Sequence, residues 1–353
     1  PPRRMVARQD TPVHELVREW AAKDRTPSLL TLLPLDEGSL VAAFAPRGRT
    51  PLRWVAKTGY GPAATRRLAA EARALAGLAP LAGSLSLPRL LAYSEDAATE
   101  AEPASACLVQ SAIPGRRADC RWSPRPADPL PSEMNLAIAW LERFQHSGAI
   151  VPAFLPPQWP SLRDLGTASI ARSGAIVASD PELAPWLGWV PDVLTLPSSV
   201  CGAVPIHGDF WPGNVLISGG GFLSRPSAVG VVDWSSFGPG SALDDLLTWI
   251  TQMPGYGADG QPRSDLALWP ALLFRQGRAR RLLRDWAERS GYDAVLARFA
   301  FYLFLTRRIR WELGLEQQYR SPSERQSARA RWRAFLDWLR QRHYPDPFTT
   351  SGD

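Results

Sequence analysis

The segment His207-Gly208-Asp209-Phe210-Trp211-Pro212-Gly213-Asn214, followed after a glycine-rich stretch by Val231-Val232-Asp233-Trp234, gathers the polar groups best suited to chemistry. Asp209 and Asn214 lie five residues apart in a Gly/Pro loop, and Asp233 ends an apolar run nineteen residues beyond Asn214. A carboxylate and an amide oxygen brought together by a hairpin are hard donors of the kind Mg²⁺ accepts, with phosphate oxygens and water completing its octahedron. A further aspartate beside them is suited to taking a proton from a hydroxyl. Taken singly, Asp and Asn in such loops stabilise turns. The joint pattern is what points to metal-assisted phosphate chemistry.

These groups need a hairpin between them, and the short apolar runs 215–217 and 229–232, joined by Gly219-Gly220-Gly221, supply its strands. Further upstream, residues 28–35, 39–45 and 52–57 read as antiparallel strands separated by the turn signals Asp36-Glu37-Gly38 and Pro46-Arg47-Gly48. Residues 63–78, rich in Ala, Leu, Arg and Glu, read as a helix, and 87–94 and 106–112 as two more strands. A short helix is expected at 14–23. Ile113-Pro114-Gly115 then breaks the pattern as a linker. Beyond it the chain turns helical, at 132–145 and in three long amphipathic stretches, 267–290, 293–314 and 322–342. The expected division is a first lobe over residues 1–112 and a mainly helical second lobe over 113–353.

With these residues in place, the chain resembles the aminoglycoside phosphotransferase and choline kinase-like superfamily, which shares the protein kinase-like fold. The resemblance rests on His-Gly-Asp followed five residues after the Asp by Asn, and on the hydrophobic-Asp-Trp strand end. It implies an α+β bilobal fold, with a small antiparallel-sheet N-lobe carrying one helix and a larger helical C-lobe. It also implies ATP and Mg²⁺ as cofactors and transfer of the γ-phosphoryl group to a hydroxyl of a small molecule. By the same resemblance Asp209 is the catalytic aspartate, Asn214 and Asp233 hold Mg²⁺, and His207 braces the loop. Ser241-Ala242-Leu243-Asp244-Asp245-Leu246 matches the family's Asp-Leu element, which makes Asp245 a structural aspartate with Asp244 as the competing choice.

The first lobe is similar to the family at several further positions. Trp54-Val55-Ala56-Lys57 is a strand ending in Lys, and Glu71 lies fourteen residues on in the next helix. In kinase-like folds such a Lys holds the nucleotide phosphates and is oriented by the helix Glu. The phosphate loop departs from the family pattern, because Asp36-Glu37-Gly38-Ser39-Leu40 has one Gly rather than three. Backbone N–H groups near Gly38 and the Ser39 hydroxyl are the candidates there, against a plain hairpin turn. By alignment of Leu108 to Gly115 with the family's hinge, the Ser111 carbonyl and the Ile113 amide meet the adenine edge.

Composition excludes some classes. With 45% hydrophobic and 21% charged residues among 353, the chain is neither disordered nor collagen-like, and no apolar run approaches the roughly 18 residues of a membrane span. Three cysteines without a CxxC spacing indicate neither a disulfide framework nor a zinc site, so a cytoplasmic setting is expected. The net charge of +6 comprises 38 Arg and only two Lys, and there are only two Asn, Asn135 and Asn214. This usage fits a GC-rich genome, and it draws attention to Lys57 and Asn214 as survivors of that bias. The arginines between Arg275 and Arg284 read as a solvated helix face rather than a nucleic-acid site, and the fifteen Trp mainly as core. Residues 254–345 carry 18 Arg against 9 acidic residues, a balance that favours a neutral or anionic, sugar-like acceptor. An aminoglycoside acceptor is the alternative, and a catalytically silent nucleotide-binding module is the alternative of another class. Neither a membrane nor a nucleic acid is expected as partner, and oligomeric state leaves no trace in the sequence.

Overall fold

Alternating apolar residues between sharp turns produce a five-stranded antiparallel sheet in the computed structural model, which describes residues 27–36, 39–46, 54–98, 104–118, 132–147, 159–194, 201–219, 226–252, 255–256, 262–263, 266, 269–275, 277–312 and 322–348. The strands are β1 (Pro27–Asp36), β2 (Ser39–Pro46), β3 (Trp54–Tyr60), β4 (Leu90–Asp96) and β5 (Ser105–Ser111), in the order β1-β2-β3-β5-β4. Lys57 sits mid-sheet, opposite Val41 on β2 and Leu108 on β5. The helix expected at 14–23 and the turn at Gly38 lie outside the described residues.

Between β3 and β4 runs α1 (Pro62–Leu78), with Pro at its first turn, where a missing N–H costs nothing. Its apolar face, including Leu68, Leu75 and Leu78, is buried against β3, β4 and β5. Each such leucine stabilises the docked helix by about 1.5–3 kcal/mol. The helix approaches β3 closely at Gly59, where a Cβ would fall 2.8 Å from that of Ala64. Only glycine fits there.

The chain forms two units, 1–116 with 216–237 and 117–215 with 238–353. Beside the expected boundary at 112/113, Leu216–Phe237 groups with the first unit. The reason is packing: in the hairpin of β8 (Val215–Gly219) and β9 (Pro226–Val231), a Cβ on Gly230 would lie 2.3 Å from the Ile113 side chain and 3.0 Å from the Ser86 carbonyl oxygen. The turn after it, Trp234–Ser236, packs on α1. The two-residue strand β6 (Arg116–Arg117) borders β8 where the chain passes from one unit to the next.

The second unit is mainly helical, with α2 (Ser132–Ser147), α3 (Leu162–Ser179), α4 (Asp244–Thr251), α5 (Arg278–Arg289), α6 (Ala294–Glu312) and α7 (Pro322–Gln341). A short pair, β7 (Val204–Ile206) and β10 (Gly238–Gly240), flanks the loop of interest. The core includes α6, whose residues Phe299 to Leu305 are all buried, together with Trp269, Trp332, Phe335 and Leu339. The helix expected over 267–290 is instead a wide turn at Pro270–Phe274 and α5, because Arg275 and Gly277 are extended and interrupt it. Cys107 and Cys201 are free thiols. Among the described residues, no helix is long and apolar enough to cross a membrane.

Candidate active site

In the first unit, β3 aims Lys57 at α1. Its Nζ donates to both carboxylate oxygens of Glu71, at 2.7 and 2.8 Å, and lies 3.6 Å from Oδ1 of Asp233. Lys57 and Glu71 are buried, at 8% and 1% exposure, so the pair is shielded from solvent. Burial alone would lower the lysine's pKa, but the carboxylates of Asp233 and Glu71 outweigh it, and the net direction is upward. The ammonium therefore stays charged. Burial pushes Glu71 up and Lys57 opposes it.

Asp233 reaches this position with φ of 67°, in the left-handed region that Asp tolerates better than most residues. The Ser235 hydroxyl donates to its Oδ1 at 3.0 Å, and the Trp234 indole N–H anchors the turn on the Val231 carbonyl. A small pocket opens here between β3, α1 and the turn, with Lys57, Glu71 and Asp233 in its wall.

In the second unit, the loop from His207 to Asn214 is held from three directions. Asp245, at the start of α4, accepts the backbone N–H groups of His207 and Gly208 at 2.7 and 2.9 Å. It is fully buried, and that burial pushes its pKa up to about 7. His207, itself buried, accepts the Asp209 N–H on Nδ1 at 3.2 Å, which requires Nδ1 to be the unprotonated nitrogen. Phe210 is buried in an aromatic cluster, 5.6 Å from Trp140 of α2 and 5.3 Å from Trp249 of α4, centroid to centroid. Asp209 is thus set between two anchored neighbours.

Asn214 closes the loop, its Nδ2 donating to the Asp209 backbone oxygen and to Oδ2 of the Asp209 carboxylate, both at 3.0 Å. Both bonds use Nδ2, so the amide presents Oδ1, a hard donor, away from Asp209. Asp244, the neighbour of Asp245, acts elsewhere, pairing with Arg307 at 2.8 Å and accepting the Ser241 N–H at 3.0 Å. Trp211 folds back over Gly213, where a Cβ would meet its ring at 2.3 Å and the Arg117 guanidinium at 2.7 Å. The Arg117 guanidinium carbon lies 5.5 Å from the Trp211 ring centroid.

The structure therefore brings Lys57, Glu71 and Asp233 together in one unit and Asp209 and Asn214 together in the other. Asn214 and Asp233, expected to share a metal, belong to different units. Among the described residues, no cluster of three or more His, Cys, Asp or Glu could hold a metal by itself. Ser39 pairs with Gly59 across β2 and β3. Ser111 exchanges hydrogen bonds with Arg89, its Oγ accepting the Arg89 N–H at 2.8 Å and its own N–H donating to the Arg89 carbonyl at 2.9 Å. Ile113 packs on Gly230 of β9. Sequence reasoning overlooked Arg67, one helical turn before Glu71 and a wall of the same pocket, and Ser235. The i, i+4 spacing from Glu71 was the available signal for Arg67.

A family model for the phosphotransferase enzyme family matches residues 31–292, which takes in β3, α1, the Asp209 loop and Asp233. The chain belongs to the phosphotransferase enzyme family. This phosphotransferase is similar in fold to solved structures at low identity. One is a thermostable mutant of aminoglycoside phosphotransferase APH(4)-Ia in a ternary complex with ADP and hygromycin B, at 17% identity and TM-score 0.53, covering 91% of this chain and 97% of that one. A second is the GDP and kanamycin complex of APH(2'')-IIIa, at 13% identity and TM-score 0.52, covering 93% and 99%. A third is a candidate aminoglycoside phosphotransferase from Ralstonia eutropha JMP134, at 16% identity and TM-score 0.56, covering 93% and 98%. Among curated proteins none matches the chain. The fold is accordingly the α+β, kinase-like one.

Proposed function

We propose that this phosphotransferase moves the γ-phosphoryl group of ATP to a hydroxyl of a neutral or anionic, sugar-like metabolite. The observation that carries the reading is the Asp209 loop: one carboxylate, held by Asn214 on a backbone that His207 and Asp245 anchor, is suited to orient an acceptor hydroxyl and take its proton. Lys57, aimed by Glu71, serves the nucleotide phosphates as a point charge. Ser39 near the β1–β2 turn, the Ser111 carbonyl and the Ile113 amide complete the nucleotide contacts. The two-unit division corresponds to nucleotide-binding and acceptor-binding parts.

The donor set fits Mg²⁺, since Asp233 offers a carboxylate and Asn214 an amide Oδ1 turned away from Asp209. One or two protein oxygens with substrate phosphates and water suffice for this ion. When bound, Mg²⁺ neutralises charge on the phosphates.

Acceptor class rests on charge. The 18 arginines against 9 acidic residues over 254–345 oppose a polycation. Some of these arginines also support the fold, since Arg307 pairs with Asp244, Arg310 bonds Ser169, and Arg289, Arg308 and Arg342 lie over Trp286, Trp311 and Trp338. Trp140, Trp234, Trp249 and Trp332 are core residues and give no support for ring stacking on an acceptor. A second reading, an aminoglycoside acceptor, is favoured by the hygromycin B and kanamycin bound in the structures of similar fold. ATP consumption measured over neutral sugars, sugar acids, amino alcohols and aminoglycosides separates the two. Turnover confined to kanamycin-type acceptors refutes the sugar-like class, and turnover on none, with ATP bound, favours a silent module.

A further inference from the structure

Lys57 does not by itself make an attractive site for a phosphate chain. Its ammonium is engaged by both oxygens of Glu71 at 2.7 and 2.8 Å and stands 3.6 Å from Asp233, so with both carboxylates ionised the three groups sum to one negative charge. Before Mg²⁺ joins Asp233, the three protein groups alone offer a phosphate chain no net attraction. The same pocket has Arg67 in its wall, a second cation beside the two carboxylates. Arg67 lies four residues before Glu71, hence on the same face of α1. Its charge is near enough to oppose protonation of Lys57, as the smallest of the influences on that group.

Of the four remaining wall residues, two carry hydroxyls, and Ala64 and Leu68 are apolar. Thr58 and Ser235 line the pocket, and Ser235 holds Asp233 by its hydroxyl at 3.0 Å, fixing the carboxylate relative to the cations. Arg67 is an exposed side chain. Its planar guanidinium forks onto two phosphate oxygens at once, whereas the Lys57 ammonium acts as a point charge.

We propose that Arg67 is a second phosphate-binding cation, taking oxygens of the nucleotide's terminal phosphates from the pocket it shares with Lys57. The proposal rests on the ATP-dependent reading above, and it assigns to α1 a direct part in nucleotide binding besides aiming Lys57 through Glu71.

The test is equilibrium binding of ATP, ADP and adenosine to the full chain, in the presence of Mg²⁺, for the unaltered protein, Arg67→Gln and Arg67→Lys. Hydrogen bonds to charged groups set the scale, so Arg67→Gln should weaken ATP by about 10- to 100-fold. ADP should lose less and adenosine nothing, with Arg67→Lys recovering part of the ATP affinity and steepening of Kd with salt reduced in the Gln variant. Unchanged ATP affinity in Arg67→Gln overturns the proposal while leaving the kinase reading intact. An equal loss for all three ligands also overturns it, because that pattern marks a structural role. If the unaltered protein binds none of the three, the kinase reading fails and the proposal falls with it.

Discussion

Replacing Asp245 with Asn should separate stability from activity. Both carboxylate oxygens are in use, one on the His207 N–H at 2.7 Å and the other on the Gly208 N–H at 2.9 Å. Asn keeps one acceptor and turns an NH₂ toward the second donor. That forfeits a charge-assisted bond, about 1.5–3 kcal/mol, and leaves a buried N–H unsatisfied, about 1–3 kcal/mol more. Against this stands the relief of a buried charge. Displacement of the carboxyl from 3.8 to about 7 corresponds to about 4 kcal/mol of penalty on the ionised form above pH 7, at about 1.4 kcal/mol per pH unit. The opposing effects nearly cancel at pH 8, so stability there should move by no more than about 2 kcal/mol.

Activity has no such compensation. The donor–donor contact pushes the His207-Gly208 backbone away from α4 and carries Asp209 with it, and a shift of about 1 Å at the reacting centre reduces kcat by about 10²-fold. The folded-state value lies above the unfolded 3.8, so the folded chain binds this proton more tightly. The group's contribution to wild-type stability therefore falls as pH rises from about 4 to about 7 and is constant above. Asp245→Asn lacks that slope. Urea unfolding of both proteins at several pH values between 5 and 8, with kcat and ATP affinity at pH 8, checks the argument. Parallel stability curves would refute the burial account, and wild-type kcat would refute the positioning role.

Asp209→Asn should retain nucleotide affinity while reducing turnover by about 10²- to 10⁴-fold, the scale of general-base catalysis, read by steady-state kinetics beside ATP binding. Asp233→Ala, which removes an anionic donor, should weaken Mg²⁺-dependent nucleotide binding more than Asn214→Ala, which removes a neutral one; a Mg²⁺ titration of nucleotide affinity ranks the two. Gly213→Ala should destabilise by about 1–3 kcal/mol in urea unfolding, because its methyl would enter the Trp211 ring, and combining it with Trp211→Ala should recover part of the loss.

What the sequence disclosed was local. Turn residues and alternation located the five strands and α1 to within a few positions, because those signals act over neighbouring residues. Within the expected helical lobe no individual helix was singled out at 162–179, although Ser161 and Asp164 form a reciprocal capping box at its start. Over 267–290 apolar spacing continued through a stretch where the backbone at Arg275 and Gly277 is extended. Site residues followed a similar division. Lys57, Glu71 and Asp233 were legible by type and position, but their convergence depends on Gly230 fitting against Ile113 and on a left-handed Asp233, long-range features without a local signature. Arg67 was hidden by abundance, being one of 38 arginines.

The first unit is discontinuous, and that has a consequence for how the chain is made. When residue 116 leaves the ribosome, the sheet and α1 exist without the segment Leu216–Phe237 that completes them. About 120 residues must follow before it is complete, which takes about 6–24 s at ordinary synthesis rates. During that interval α1 lacks its cover at Trp234–Ser236, and the Lys57–Glu71 pair lacks Asp233. The second unit begins to emerge before the first is finished, so closing the first depends on a contact of long sequence separation, a slow step in any fold. A fragment ending at residue 116 would leave that surface bare, and a chain divided for complementation has to be cut beyond Phe237 for Lys57, Glu71 and Asp233 to lie within one fragment.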